Sequence, residues 1–266
     1  MNIKKTSLII ATYNWPEALE LCLESVLQQT TFPSEVIIAD DGSDKRTAIL
    51  IQQFASIAPF PIFHEWHEDK GFRKTIILNR AILKTSFPYI IQIDGDVIIT
   101  PHFIEDHLKM AEKGCFIRGT RTMLNPLITK HLFEKKKISI FEKMQLAIKQ
   151  PTNSLRLYPL IAQLFTRKEL SGERVKGCNM SFWREDLLRI NGYDNTLQGW
   201  GHEDEELSWR LVNSGKHKKI IRFSAIAYHI YHNYLSRKHE AHHLNFLQNI
   251  QENHVIRTSN GLEDLT

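Results

Sequence analysis

The sequence predicts an α/β protein built on a mostly parallel, Rossmann-like sheet flanked by helices. Three observations predict it. Short apolar runs alternate with one-sided helical stripes through the first half of the chain. Runs such as Val36-Ile37-Ile38-Ala39 are continuously apolar rather than alternating, the mark of strands buried on both faces. Polar turns follow these runs, and ligands of such sheets gather beyond the carboxyl ends of the strands.

Ser7 to Thr12 reads as the first strand, ended by Tyr13-Asn14. Asn14 has the chemistry of a helix N-cap, with Pro16 in the first turn and Glu17 three residues on. The helix that follows places Leu19, Cys22, Leu23, Val26 and Leu27 on one side. Glu35 to Ala39 is the second strand, closed by Asp40-Asp41-Gly42-Ser43. A helix from about Lys45 to Ala58 is expected to turn Ile49, Leu50, Phe54 and Ile57 inward. Pro61 to Trp66 is a third strand, and Gly71-Phe72-Arg73-Lys74 opens a helix with the stripe Ile77, Leu78, Ala81 and Ile82. Tyr89 to Ile93 is a fourth strand running into Asp94-Gly95-Asp96. Thr100-Pro101 starts a helix to about Lys113, and Cys115 to Gly119 is a fifth strand.

The pattern weakens from Thr120 to Glu173, where Lys130–Lys149 predicts one basic amphipathic helix and Leu155–Leu170 a second, mixed one. It returns with a strand at Val175–Trp183, a helix at Arg184–Ile190 and a turn at Asn191-Gly192-Tyr193. Gly199-Trp200-Gly201 is a flexible loop, and four consecutive acids from Glu203 to Glu206 open a helix. A last strand is expected from about Lys219 to Tyr228, then a polar His-rich helix from Ser236 and a loose end. The boundaries expected are 1–119 for a first half, 120–235 for a second half of the same domain, and 236–266 for a terminal helix and tail.

Composition narrows the class. A net charge of +4 on 266 residues is too small to imply nucleic acid as a partner. Cys22, Cys115 and Cys178 stand apart, outside metal-ligand spacing, which fits a reducing, cytoplasmic compartment. No apolar run is long enough to span a bilayer. Basic residues cluster at Lys135-Lys136-Lys137, Lys216–Lys219 and Arg237-Lys238. They read either as solvated faces or as a rim for anionic substrates and peripheral contact with the inner membrane face.

The strand ends carry the chemistry. Asp94 and Asp96, two residues apart with Gly95 to bend the chain between them, can aim at one hard cation, and a cation there can bind a diphosphate. Asp40 can accept hydrogen bonds from a base or ribose, with Thr12-Tyr13 as the opposite wall. Arg73 and Lys74 begin a helix and can approach phosphate. His229 or His232 can complete a metal shell. Asp204, with Glu203 beside it, is the candidate general base for a sugar hydroxyl. Trp200 between two glycines offers a flat surface for a sugar ring.

Taken in order, these motifs resemble a family 2 glycosyltransferase of the GT-A fold. Ser7–Asn14, Asp40-Asp41-Gly42-Ser43, Gly71-Phe72-Arg73-Lys74, Leu78-Asn79-Arg80-Ala81 and Asp94-Gly95-Asp96 carry the resemblance in the first half. Asn179-Met180-Ser181, Gly199 to Asp204 and His229-x-x-His232 resemble the carboxyl-terminal part of β-1,4-galactosyltransferases and of bacterial chondroitin polymerase. The resemblance implies an inverting, metal-dependent transfer with Mn2+ or Mg2+. It gives Asp204 the role of base, with Glu203 by the donor sugar and acceptor. Asp96 and His232 become metal ligands, with His229 where some relatives use methionine. Thr12, Tyr13, Asn14, Asp40, Asp41, Arg73, Lys74, Arg80, Asp94 and Gly95 are implied on the donor side. Trp200, Gly201 and Asn179 are implied on the acceptor side. The donor implied is a UDP-sugar, carrying galactose, GalNAc or GlcNAc, and the expected acceptor is a glycan or lipid-linked intermediate of bacterial surface polysaccharide. The chain lacks the Gln-x-x-Arg-Trp motif and the spans of processive synthases, so one sugar per encounter is expected. Two other readings of the residues stay open here: a phosphohydrolase using Asp94 and Asp96 as nucleophile and acid, and a non-catalytic sugar-nucleotide-binding module.

Overall fold

In the computed structural model, which describes residues 5–232 and 240–265, the chain forms two sheets. The strands are β1 (Ser7–Thr12), β2 (Glu35–Asp40), β3 (Ile62–Trp66), β4 (Tyr89–Asp94), β5 (Val97–Ile99), β6 (Cys115–Arg118), β7 (Thr122–Met123), β8 (Arg167–Glu169), β9 (Met180–Trp183), β10 (His217–Ile220) and β11 (Ala227–His229). The helices are α1 (Pro16–Leu27), α2 (Lys45–Ile57), α3 (Lys74–Lys84), α4 (Phe103–Met110), α5 (Pro126–Lys135), α6 (Ile140–Lys149), α7 (Pro151–Ser154), α8 (Pro159–Gln163), α9 (Arg184–Arg189), α10 (Glu203–Asn213) and α11 (Glu240–Glu252).

The large sheet runs β3-β2-β1-β4-β9-β6-β10-β8. Its first four strands are parallel; β9 then enters antiparallel between β4 and β6, and β8 closes the far edge antiparallel. The sheet is therefore mostly parallel, as expected, but β6 is not the neighbour of β4. Alternate residues of each central strand feed opposite layers. Leu8 and Ile10 pack with α1, while Ile9 and Ala11 pack with α3. Both faces are covered, which is why these strands are apolar without alternation.

Several elements differ from their sequence patterns. Asn14 does not cap α1; it lies at φ 44° and its Oδ1 accepts from the Asp44 N–H at 2.8 Å, bracing the turn after β2. Trp15 takes the cap position instead. In α2 the buried residues are Thr47, Ile51 and Phe54, and Ile49 and Ile57 are exposed. The apolar alternative stripe simply faces away from the sheet. The basic stretch is two helices, α5 and α6, because Lys136 turns left-handed at φ 55° and Ser139 starts a new helix with a capping box to Glu142. Leu155–Leu170 yields only the short α8 and the edge strand β8.

The expected strand Lys219–Tyr228 is also divided. β10 joins the large sheet and β11 joins the small sheet, ordered β5-β11-β7. Phe223 and Ala225, both at positive φ, turn the chain between them. The start of the expected terminal helix at Ser236, and Arg237-Lys238, lie outside the described residues. The end of the chain is packed, not loose: Leu262 is buried against α3, and its N–H donates to the Asn191 carbonyl at 3.0 Å. Lys218 and Lys219 are buried and Lys216 pairs with Asp186, so this basic cluster is no surface rim.

Candidate active site

The donor-side turns converge where β1, β2 and β4 end. Gly95 lies over the end of β1, its N–H donating to the Ala11 carbonyl at 2.7 Å; a Cβ there would come 3.1 Å from Thr12 Oγ1. Asp40 is fully buried, accepting from the Ser43 N–H at 2.8 Å and facing His64 Nε2 at 2.8 Å. Asp41 faces His67 Nε2 at 2.6 Å and accepts from the Arg73 N–H at 2.9 Å. The two aspartates thus order the loops that frame the crevice. Tyr13 is half exposed and donates to Asp69 at 2.9 Å. Arg73 turns its guanidinium back to the Glu68 carbonyl, and Arg80 stands exposed on α3.

Asp94 and Asp96 point to different partners. Lys74 Nζ lies 2.8 Å from Asp94 Oδ1. Burial works against ionisation of Asp94, but the Lys74 ammonium prevails and holds its carboxyl below the ordinary range. Asp96 faces the two histidines: Oδ1 is 3.6 Å from His229 Nε2, and Oδ2 is 3.3 Å from His232 Nε2. The small sheet makes this possible, because β11 pairs with β5, with His229 opposite Val97.

These three residues fit a cation. One donor atom from each lies within 4.8 Å of the others. His229 Nδ1 is 2.9 Å from the Ile230 carbonyl and must donate to it, so a neutral ring turns its Nε2 lone pair toward Asp96 Oδ1. That oxygen is buried and, among the described residues, has no hydrogen-bond donor. A cation between the two atoms, or a proton shared by them, would satisfy both, and burial raises the Asp96 pKa. Cys178 also approaches Asp94 and His229, which its isolation in sequence did not suggest. Burial pushes its thiol up to about 12, so it stays protonated and is a poor ligand for a hard cation.

The second half of the site lies at the start of α10. Gly199 donates to the Phe72 carbonyl at 3.0 Å, joining the Gly-Trp-Gly loop to the loop before α3. Gly201 at φ 119° and His202 at φ 64° turn the chain into the helix. The four acids then part company. Glu203 is buried and accepts from the Gly201 N–H at 3.1 Å. Asp204 Oδ2 accepts from the Gly177 N–H at 2.7 Å, and its Oδ1 from Tyr193 Oη at 3.3 Å. Glu205 accepts from the Arg174 N–H at 2.7 Å, and Glu206 forms a buried two-point pair with Arg210 at 2.5 and 2.6 Å. A helix-dipole role alone does not describe them.

Burial, with the Asp204 charge next, pushes Glu203 up to about 7. Burial also raises Asp204, against the pull of Lys74. Burial opposes the charge on Lys74, yet Asp94, Asp204 and Glu203 together hold its pKa well above the ordinary value. Lys74 therefore lies between both carboxylate groups. Gly177 and Tyr193 were not among the sequence candidates. Only the tight approach explains Gly177: a Cβ there would meet Asp204 Oδ1 at 2.4 Å. Trp200 is half-buried in the loop. Asn179 is fully buried, its amide donating to the Thr120 and Ala225 carbonyls at 2.7 and 3.0 Å while Oδ1 faces His107. It braces the floor of this half from within.

Residues 7–159 match the family described as glycosyl transferase family 2. The chain belongs to that family. Residues 161–233 match a second family, described as the N-terminal domain of galactosyltransferase. Among curated relatives of this family 2 glycosyltransferase, chondroitin synthase of Escherichia coli is 24% identical over 249 residues, covering 84% of this chain and 34% of that protein. The chain spans between about a quarter and a half of the curated relatives first matched. Among solved structures, residues 1-349 of S. aureus TarS align with a TM-score of 0.64 at 13% identity, over 98% of this chain and 68% of that one. GalNAc-T7 with UDP, GalNAc and Mn2+ aligns at 0.60 and 14% identity, over 86% and 44%. These likenesses show the GT-A fold. Family membership favours the glycosyltransferase reading over the phosphohydrolase one that the residues left open.

Proposed function

We propose that this family 2 glycosyltransferase moves one sugar at a time, with inversion and with a divalent metal, from a UDP-sugar to a hydroxyl of a glycan or lipid-linked acceptor in bacterial surface polysaccharide synthesis. The observation that carries this reading is that Lys74 joins Asp94, the neighbour of the candidate metal residue Asp96, to Asp204. Asp96 faces two histidines across an unsatisfied oxygen, and Asp204 stands ready as a base with a raised pKa.

Asp96, His229 and His232 would hold the metal. A bound Mn2+ or Mg2+ supplies there the neutralisation of charge on the departing diphosphate. Asp94, kept ionised by Lys74, serves the ribose side. Asp204 takes the proton of the acceptor hydroxyl as that oxygen bonds to the anomeric carbon. The bond from that carbon to the diphosphate oxygen breaks, and its electron pair leaves with UDP. Attack from the opposite face turns an α-linked donor into a β-glycoside. Trp200, beside the base, gives the sugar ring a flat wall. The neighbour solved with UDP, GalNAc and Mn2+ favours this choice of donor and metal, and the chondroitin and hyaluronan synthases among the relatives favour a glycan product.

The test is UDP release from UDP-galactose, UDP-GalNAc and UDP-GlcNAc, with Mn2+ or Mg2+ and with chelator. One donor should stand out and chelation should stop release. A rate indifferent to chelator would remove the metal from the reading; release from none of the donors would remove UDP-sugar transfer.

A further inference from the structure

Helix α6 has two opposed faces. One is docked: Leu146 is buried in a cluster with Ile128, Leu132 and Tyr228, and Glu142 holds Ser139 and pairs with His131 at 3.0 Å. The other is apolar and faces solvent. Ile140, Phe141, Met144 and Ile148 are 80%, 69%, 58% and 80% exposed. At 100° per residue they occupy an arc of about 100°, centred opposite the docked face. A surface helix ordinarily turns its apolar stripe to the core and its polar side to water. Here the solvent side carries the larger apolar residues, and the capping box and buried contacts fix it outward. Tyr158, Leu160 and Leu164, soon after in the chain, are also mostly exposed.

The charge along this stretch is mainly basic, although Lys136 pairs with Glu20 and Glu134 stands exposed just before it. Residues 135–149 hold five lysines and one glutamate, a balance of +4, equal to that of the whole chain. The one acid of this stretch, Glu142, is buried on the docked side. An exposed apolar strip rimmed by lysines has the makeup of a helix lying in the headgroup region of an anionic bilayer. A second copy of the chain is a poor occupant, because a two-fold contact would set +4 against +4.

We infer that the outer face of α6 seats the protein on an anionic lipid surface. The docked face ties this seat to the site, since Tyr228 and Ile230 in its cluster flank His229. Among the described residues no helix is long and apolar enough to cross a membrane, and α6, apolar on its outer face alone, is suited to lying on a surface. It favours a lipid-linked acceptor over a free glycan, and for that consequence alone it rests on the function proposed above.

The full chain is sedimented with vesicles of phosphatidylcholine, alone or mixed with phosphatidylglycerol. Binding to the anionic vesicles is expected to be at least about tenfold stronger, and to weaken with salt. Phe141→Asp with Ile148→Asp is expected to lose at least about tenfold in binding, with UDP release from the donor unchanged. Lys135→Glu with Lys137→Glu should lose the preference for phosphatidylglycerol. Failure to sediment, or wild-type binding by the aspartate variant, overturns the inference. So does a dimer in solution that the aspartate variant converts to monomer. Vesicle binding without UDP release from any donor upholds the membrane seat and removes only the catalytic reading.

Discussion

Lys74 Nζ sits 2.8 Å from Asp94 Oδ1, and its charge also reaches Asp204 and Glu203. One ammonium thus serves acids from two separate stretches of the chain. Lys74→Met leaves those acids facing one another with no cation, and breaking such a partly buried pair costs about 3–5 kcal/mol. Urea unfolding should read that loss. Where the variant stays folded, the acidic limb of its pH–rate profile should move to higher pH, because Lys74 lowers the Asp94 and Asp204 pKa values. Lys74→Arg should recover most of both.

Asp204→Asn keeps an oxygen to accept the Gly177 N–H but cannot take a proton. Transfer should fall by roughly 10²–10⁴, with UDP affinity measured by calorimetry nearly unchanged. Substantial residual transfer would assign the base elsewhere.

Gly177→Ala brings a methyl to within 2.4 Å of Asp204 Oδ1. The carboxylate must shift, and its bond to the Gly177 N–H with it. The expected result is a large loss in kcat with a smaller change in Tm, the signature of a base moved rather than a fold broken.

Glu203 carries a pH-dependent cost. Its folded pKa of about 7 lies above the ordinary 4.5. Between these values the folded state binds the extra proton, so stability is highest below pH 4.5 from this group and declines as pH rises through 7. Glu203→Gln should therefore raise Tm more at pH 8 than at pH 5. An equal change at both would show that burial does not govern this group.

His232→Ala should weaken Mn2+ binding at least about tenfold, read by titration calorimetry on the protein without nucleotide. Loss of activity with full metal affinity would place the cation on other residues.

The parallel core was legible because its strands are apolar on both faces, and the turn residues after β1, β2 and β4 do meet as their positions implied. The same patterns hid the long-range partners. Nothing local in Met180–Trp183 says that it will run antiparallel between β4 and β6. Ile49 and Ile57 fit a helical stripe as well as Ile51 and Phe54 do; only the sheet chooses between them. Asp94 and Asp96 look equivalent in sequence, and distant partners, Lys74 for one and His229 with His232 for the other, separate them. Gly177 and Tyr193 gave no signal because their value lies in where Asp204 comes to rest.

The insertion of β9 has a consequence for how the molecule is made. β6 is hydrogen-bonded to β9 and β10 and has no pairing with β4. During synthesis, residues 115–118 therefore wait without a sheet partner until residues 180–183 leave the ribosome. A chimaera joined after residue 119, taking its later half from another transferase, would graft a foreign central strand into the sheet. Exchanging acceptor preference by recombination is thus better attempted at the loops around Trp200 than at the midpoint of the chain.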